Sequence, residues 1–413
     1  MHDAHDAEEE RPVWAWIDLE ALRHNARRAR ARAAGRKVIA VVKADAYGHG
    51  APQIARALLA EGIARLAVVS VAEGAALRRA GIVAPILLLG GLDDRVGAER
   101  AVKWGLTPVL HDRRGLELAQ SVARHASPLG VEIEVDTGMH RMGVSPEAAR
   151  DLLSRVLASP GLSLSGVFTH FVQADEEDAK PSHDQVAAFA QILADLTGDA
   201  PQREGRRAPM LHVANSAGLL RLEEIEEPSV GVVTDAVRPG LMLYGVSPFA
   251  DRSGPELDLR PVMTLAARVV ATRRVARGAT VGYGGEWRAP RETRVATLPL
   301  GYADGIPRAV LGRGRVHLGG ALRPIVGRVS MDYIGVEIGD APVETGDIAT
   351  IFGRTPEGLC VPVEDFARAA GTIGYEILVG VGARVPRRFG EGPPPGSEDD
   401  GAGGGGDEVA SAI

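Results

Sequence analysis

From residue 38 to residue 245 the sequence repeats one alternation, a short β-branched run followed by a stretch of helical period. The apolar runs are VIAVV (38–42), RLAVVS (65–70), PILLLG (85–90), TPVL (107–110), VEIEVD (131–136), LSGVFTHF (164–171), LHVAN (211–215) and AVRPGLMLYG (236–245). Between them, GAPQIARALLAEG (50–62) and SPEAARDLLSRVLA (145–158) carry helical spacing. In the second of these, Ser145 suits the N-cap, Pro146 the first helical position and Glu147 the positive end of the helix dipole. Eight strand candidates alternating with helices over about 210 residues fit a (β/α)8 barrel, with a doubly wound open sheet as the alternative.

From about residue 255 the pattern changes. MTLAARVVATRRV, TRVATLPLGYADG, GRVHLGGALRPIVGRVSMDYIGVEIG and GDIATIFG are strand-rich and separated by Gly and Pro turns, and only VPVEDFARAAG (361–371) looks helical. The reading is therefore an α/β chain with a (β/α)8 TIM-type barrel over 11–250 and a mostly β domain over 251–390. VWAWIDLEAL (13–22) reads as a strand entering a helix, and 11–20 can pair with either domain. Residues 1–10 and the Gly/Pro-rich 391–413 read as disordered acidic tails, and 198–209 as a surface loop.

Composition removes several function classes. The net charge of −7 comes from the ends, since 1–10 and 391–413 hold five and six acidic groups and no Lys or Arg. The remaining core is near neutral, so nothing calls for nucleic acid or an anionic membrane as partner. No apolar run reaches the roughly 20 residues of a membrane span, the acidic N-terminus is unlike a secretory signal, and one cysteine (Cys360) excludes an internal disulfide or a Cys-rich metal site. A cytoplasmic setting follows. Only four of the 47 basic residues are lysines, Lys37, Lys43, Lys103 and Lys180, and only Lys43 closes an apolar strand.

In VIAVVKADAYGHG (38–50), Lys43 stands where a barrel strand meets the active-site mouth. Apolar surroundings disfavour its ammonium form, which suits an amine that forms a Schiff base, and Tyr47 lies within reach of an anion. This segment resembles the alanine racemase motif V-V-K-A-N/D-A-Y-G-H-G, and further motifs in family order extend the resemblance over about 11–390. The resemblance implies a pyridoxal 5'-phosphate enzyme in which Lys43 holds the cofactor covalently. VEIEVDTGMHRMGV (131–144) places Glu132, Glu134 and Asp136 on one strand face, and Arg141 just beyond is the candidate countercharge. By resemblance Arg141 contacts the cofactor's phenolic oxygen and the substrate carboxylate. Many relatives carry a carbamylated lysine at the position of Glu134, where it orders that arginine; Glu134 supplies negative charge on a shorter side chain.

The resemblance also assigns His170 of FTHF to the side of the pyridine ring, and His212, Asn215 and Ser216 of LHVANSAG to the cofactor. Ser216, Gly240 and Leu241 suit a phosphate between the last two barrel strands. By the same resemblance Arg238 faces the pyridine nitrogen, polarised by His212. An arginine does not accept a proton, so it keeps the ring a weaker electron sink and suppresses side reactions. From the β domain, Tyr283 of VGYGGEW matches the second base, Tyr302 of GYADG the substrate gate, Met331 and Asp332 of SMDY the substrate region, and Tyr375 of IGYE a phosphate contact. A Gly precedes Tyr375 where relatives commonly have Asn.

The function implied is interconversion of L- and D-alanine by two bases, Lys43 and Tyr283, supplying D-alanine for peptidoglycan. The implied assembly is a homodimer with active sites at the subunit interface. A racemase of another small amino acid such as serine is the nearest alternative. A decarboxylase of the same fold type needs a cysteine in a catalytic setting, which Cys360 lacks, and a non-enzymatic carrier of the cofactor has no use for the second domain.

Overall fold

The computed structural model describes residues 11–197, 208–225 and 234–396. The expectations for 1–10, for most of the 198–209 loop and for the far end of the C-terminal tail lie outside the described residues. The chain opens on strand β1 (Val13–Asp18) and passes directly into the helix Leu19–Arg32. It divides into one unit of Ala21–Arg260 and a second that joins the two ends, Met1–Glu20 and Pro261–Ile413.

Eight strands close the first unit: β2 (Lys37–Val41), β3 (Arg65–Val68), β4 (Ile86–Leu88), β5 (Leu106–Leu110), β6 (Leu129–Glu134), β7 (Leu162–Phe168), β8 (Met210–His212) and β9 (Ala236–Val237). Neighbours pair in parallel in chain order, and β9 returns to β2 through Lys37↔Ala236 and Val38↔Val237. This is the (β/α)8 barrel, and the closing pair excludes an open sheet. The last apolar run yields a two-residue strand because Pro239 has no N–H to give. Its carbonyl still accepts from Val41 N at 3.0 Å, and the chain then turns into the short 3-10 helix Leu241–Tyr244. Ser145 caps the helix Pro146–Ala158 by accepting from Ala148 N, as its position suggests.

In the second unit β1 is an interior strand, antiparallel to Met263–Arg268 and parallel to Arg387–Gly390. Ile348–Arg354 extends the sheet on the other side of Met263–Arg268. The predicted helix is present as Val363–Ala370. A second helix, Gly374–Gly380, corrects the reading that only one exists there. GYEILVG has glycines at both ends and β-branched residues inside, which imitate a strand, and its packing on the preceding helix overrides that preference. The tail is also ordered further than expected: Gly392 N donates to Asp18 Oδ1 at 3.0 Å, and Trp16 Nε1 donates to Gly392 O at 3.0 Å. Asp18 is buried, and this backbone contact helps to satisfy it. Among the described residues no helix is long and apolar enough to cross a membrane.

Gly353 shows how tightly that sheet is drawn. Its φ is +105°, and a Cβ there would lie 2.4 Å from Thr264 Oγ1 and 2.5 Å from Met263 O, beside the register shift between Leu265 and Ala266. Gly353→Ala is expected to lower unfolding stability by roughly 1–3 kcal/mol. Urea denaturation checks this, and an unchanged midpoint would show that the sheet yields there.

Candidate active site

Lys43 stands two residues past the end of β2, and its ammonium is disfavoured first by burial and then by the charge of Arg141, against a smaller opposing effect from Glu73. The next four residues, Ala44, Asp45, Ala46 and Tyr47, all lie in the left-handed region, with φ between 51° and 55°. For non-glycine residues this costs roughly 1–2 kcal/mol each, so the turn must be held from outside. Glu73 accepts from Ala44 N at 2.8 Å, and Asp45 Oδ1 accepts from Ala51 N at 2.7 Å. His49 Nδ1 faces the carbonyls of Ala46 and Tyr47 at 3.0 and 2.9 Å, and Tyr244 donates its hydroxyl to Val41 O at 2.9 Å. The Tyr47 and Tyr244 rings lie 4.7 Å apart. The residues after Lys43 read in the sequence as a polar, glycine-containing turn, but nothing in Ala-Asp-Ala-Tyr marks its left-handed conformation.

Inside the barrel runs a chain of buried charges. Arg238, just past β9, donates from Nη1 to His212 Nδ1 at 2.5 Å and to His212 O at 3.0 Å. From Nη2 it donates to Thr169 O at 2.8 Å and Val213 O at 3.2 Å, with His170 Nδ1 at 3.4 Å. His212 Nε2 meets Glu132 Oε2 at 2.9 Å, and Glu132 Oε1 accepts from Arg65. The countercharge of Glu132 is therefore Arg65, with His212 at its other oxygen, which corrects the assignment to Arg141. Glu134 turns to His111, whose Nδ1 is 3.1 Å from Oε2 at ion-pair distance without hydrogen-bond alignment. Arg141 is exposed at a loop tip and makes no hydrogen bond or ion pair among the described residues. The short Glu134 side chain thus serves His111, and the arginine is placed instead by its loop. Val144 N donates to Glu134 O and Asp136 N to Val144 O, both at 2.9 Å, while Asp136 Oδ1 accepts from Gly138 N and His140 N.

At the ends of β8 and β9, Ser216 Oγ accepts from Gly240 N at 2.9 Å and Met242 N at 3.3 Å. Its own hydroxyl hydrogen and the Leu241 N–H have no acceptor among the described residues. Tyr47 packs so close to Gly240 that a Cβ there would lie 2.4 Å from its hydroxyl. Two expectations change here. Gly240 N is already spent on Ser216, and the Asn215 side chain is the N-cap of its helix, accepting from Gly218 N at 2.9 Å. The unspent donors and the bare Gly240 backbone fit a phosphate. Arg238 Nε, the guanidinium nitrogen with no hydrogen bond among the described residues, fits an acceptor such as a ring nitrogen.

The remaining expected residues sit on the second unit. Gly301 lets two of its loops meet: Tyr302 N donates to Ser330 O at 3.0 Å and Ala303 N to Met331 O at 3.1 Å, where a Cβ on Gly301 would overlap both carbonyls. Tyr283, Tyr302 and Met331 are all exposed there. Asp332 is engaged by Arg384 Nη2 at 2.7 Å, and Tyr375 lies half-buried in the helix Gly374–Gly380.

The family model for the alanine racemase N-terminal domain matches residues 17–248, and that for the alanine racemase C-terminal domain matches 262–389. The chain belongs to the alanine racemase family. It is 40% identical over 384 residues to the alanine racemase of Desulforamulus reducens, covering 91% of this chain and 98% of that protein. To the catabolic alanine racemase of Pseudomonas putida it is 40% identical over 380 residues, covering 92% and 99%. Among solved structures, alanine racemase from D-cycloserine-producing Streptomyces lavendulae superposes with a TM-score of 0.85 at 36% identity, covering 93% of this chain and 98% of that one.

Sequence reading of this racemase-family chain missed Arg65 and His111, which act through the carboxylates of Glu132 and Glu134, and Glu73, which acts on a backbone N–H of the turn after Lys43. One signal was present: Gly166 interrupts LSGVF opposite Glu132, and a Cβ there would lie 2.8 Å from Glu132 Cδ. Burial, then Arg238, Arg141 and Lys43, push His170 down to about 3. Burial pushes His212 down to about 4 against the opposing pull of Glu132. Between these values and the ordinary imidazole value near about 6.5, the unfolded chain binds protons that the fold refuses, so stability falls as pH drops through that window. The urea midpoint of the unliganded chain is expected to fall from pH 7 to pH 5, and His170→Asn to flatten the fall; a midpoint constant over that range would contradict this. The left-handed turn predicts the reverse of the usual glycine effect. Ala44 is exposed, so Ala44→Gly is expected to raise stability by about 1 kcal/mol in the same assay.

Proposed function

We propose that the chain interconverts L- and D-alanine with pyridoxal 5'-phosphate, using Lys43 and Tyr283 as the two bases. The observation that carries this is Lys43 itself, an amine held toward its neutral form at the end of a barrel strand, which acts on His170 together with an Arg238 whose Nε–H is unspent. When bound, the cofactor supplies an electron-withdrawing ring that acidifies the substrate Cα–H. Lys43 is the residue that would hold it. Tyr47, Ser216, Gly240 and Leu241, with Tyr375, would take its phosphate, Asn215 fixing the turn that presents Ser216. His170, His212 and Arg238 would take the ring.

Burial brings Arg238 down to about 10, below the value assumed from sequence, because the barrel withholds water from it; Glu134 and Glu132 oppose the fall. It therefore remains a cation at neutral pH and would donate to the ring nitrogen of the bound cofactor instead of protonating it. Arg141 positions the substrate carboxylate, and Tyr302, Met331 and Asp332 shape the substrate's approach. Lys43, as free amine, removes or returns the proton on the D face, and Tyr283 does so on the L face. Because Tyr283 and Met331 belong to the second unit, the reading includes a homodimer in which each subunit's β unit completes the partner's barrel site. The setting is cytoplasmic, and the product D-alanine serves peptidoglycan. Although Cys360 is exposed as a residue, partial desolvation of its thiol and then the charge of Glu364 push it up to about 11, which leaves it a poor nucleophile and speaks against the decarboxylase alternative.

Substrate choice and the two bases are tested separately. With the cofactor added, alanine is expected to racemise at least tenfold faster than serine or lysine; a preference for either would move the assignment to that substrate, since one methylene is worth only about 1–3 kcal/mol. In D2O, Tyr283→Phe is expected to slow deuterium entry at Cα of L-alanine about a hundredfold or more, while Cα exchange on D-alanine is retained. Equal losses from both enantiomers would remove Tyr283 from the L face.

A further inference from the structure

Two of the buried charges inside the barrel have no part in the reading above. Glu132 on β6 is fully buried, and Arg65 at the start of β3 is 7% exposed. Burying charge costs several kcal/mol per ion, and packing apolar side chains instead is often neutral or stabilising, so an arrangement kept only for stability is a poor explanation. The geometry supplies a better one. A carboxylate only accepts, so the 2.9 Å contact to Glu132 Oε2 requires His212 Nε2 to carry the imidazole proton. Nδ1 is then a lone pair, which the 2.5 Å bond from Arg238 Nη1 requires. The His212 ring lies flat on Phe168, centroids 4.7 Å apart, and Arg238 Cζ lies 4.5 Å from the Phe168 ring centroid, so one aromatic ring backs both groups.

We propose that Glu132, clamped by Arg65, is a positioning residue for Arg238: it fixes the His212 tautomer that receives Nη1, and so leaves Nε as the guanidinium donor offered to the site. Three further observations support it. Glu132 is held down at about 2, burial being outweighed by His212 and Arg65, so it stays ionised throughout the neutral range. Gly166, opposite Glu132 in the ladder, leaves the space its carboxylate fills. Both Glu132 oxygens face donors, and that is a requirement glutamine cannot meet. If the Gln oxygen accepts from Arg65, its amide faces Nε2 and drives the imidazole proton to Nδ1, against the Arg238 N–H.

The role of the Nε–H rests on the racemase reading, whereas the tautomer does not, so the experiment reads both. In the full chain with 15N-labelled histidine, His212 is expected to show a protonated Nε2 and an unprotonated Nδ1 at neutral pH. Glu132→Gln, nearly the same size, is expected to move a measurable share of that proton to Nδ1. In cofactor-loaded protein the same variant is expected to lower kcat for alanine about tenfold or more, with KM changed less than about threefold, because a wrong tautomer costs turnover rather than binding. A proton on Nδ1 in the unsubstituted chain overturns the proposal even if the variant does not fold, and so does a Glu132→Gln protein with the tautomer unchanged. If the tautomer shifts as stated while no form of the chain racemises alanine, the positioning of Arg238 stands and the racemase reading fails.

Discussion

A guanidinium taken out of water must find an acceptor for nearly every N–H it carries, and in this barrel that requirement organises the strands around it. Arg238 draws the carbonyls of Thr169, His212 and Val213 and the ring of His212, so the ends of β7, β8 and β9 are tied to one side chain. The charge is then balanced at a distance by Glu132 and Glu134, and Glu132 in turn by Arg65 from across the barrel. Carboxylates on the inward face of β6, which look out of place in a core, are the consequence of placing a cation there.

The second constraint is strain. Four consecutive left-handed residues follow Lys43, and neighbours on three other segments hold them: Glu73, Ala51 and Tyr244. A chain that accepts such a conformation next to a half-buried amine gains a fixed direction for that amine and brings Tyr47 against Gly240. Pre-organisation of this kind is what a site must have if a proton is to be moved to or from one face of a carbon and not the other.

The barrel was legible because its period is simple: each of the eight apolar runs overlaps a strand, although the last is cut to two residues by Pro239. Lys43, His212 and Arg238 were legible as chemistry at strand ends, and the structure brings them, with Tyr47, His170, Ser216, Gly240 and Leu241, into one barrel unit. What was not legible depends on contacts between distant segments. The pairing of Glu132 with Arg65 spans 67 positions, that of Glu134 with His111 rests on a neighbouring strand, and the helix Gly374–Gly380 forms against a strand-like composition. Arg141 was the natural partner for both carboxylates by proximity in sequence, yet it stays at the loop tip because better-buried partners are already in place.

The family assignment, the neutral-leaning Lys43 and the donor left on Arg238 converge on one chemistry, inversion at the Cα of alanine. The most direct test begins with pure L-alanine and, separately, pure D-alanine, each incubated with the purified chain and pyridoxal 5'-phosphate and followed by chiral chromatography. The account predicts that both reach the same equal mixture of enantiomers and that Lys43→Ala abolishes the conversion in both directions. A folded, cofactor-loaded chain that leaves either enantiomer unconverted would contradict it.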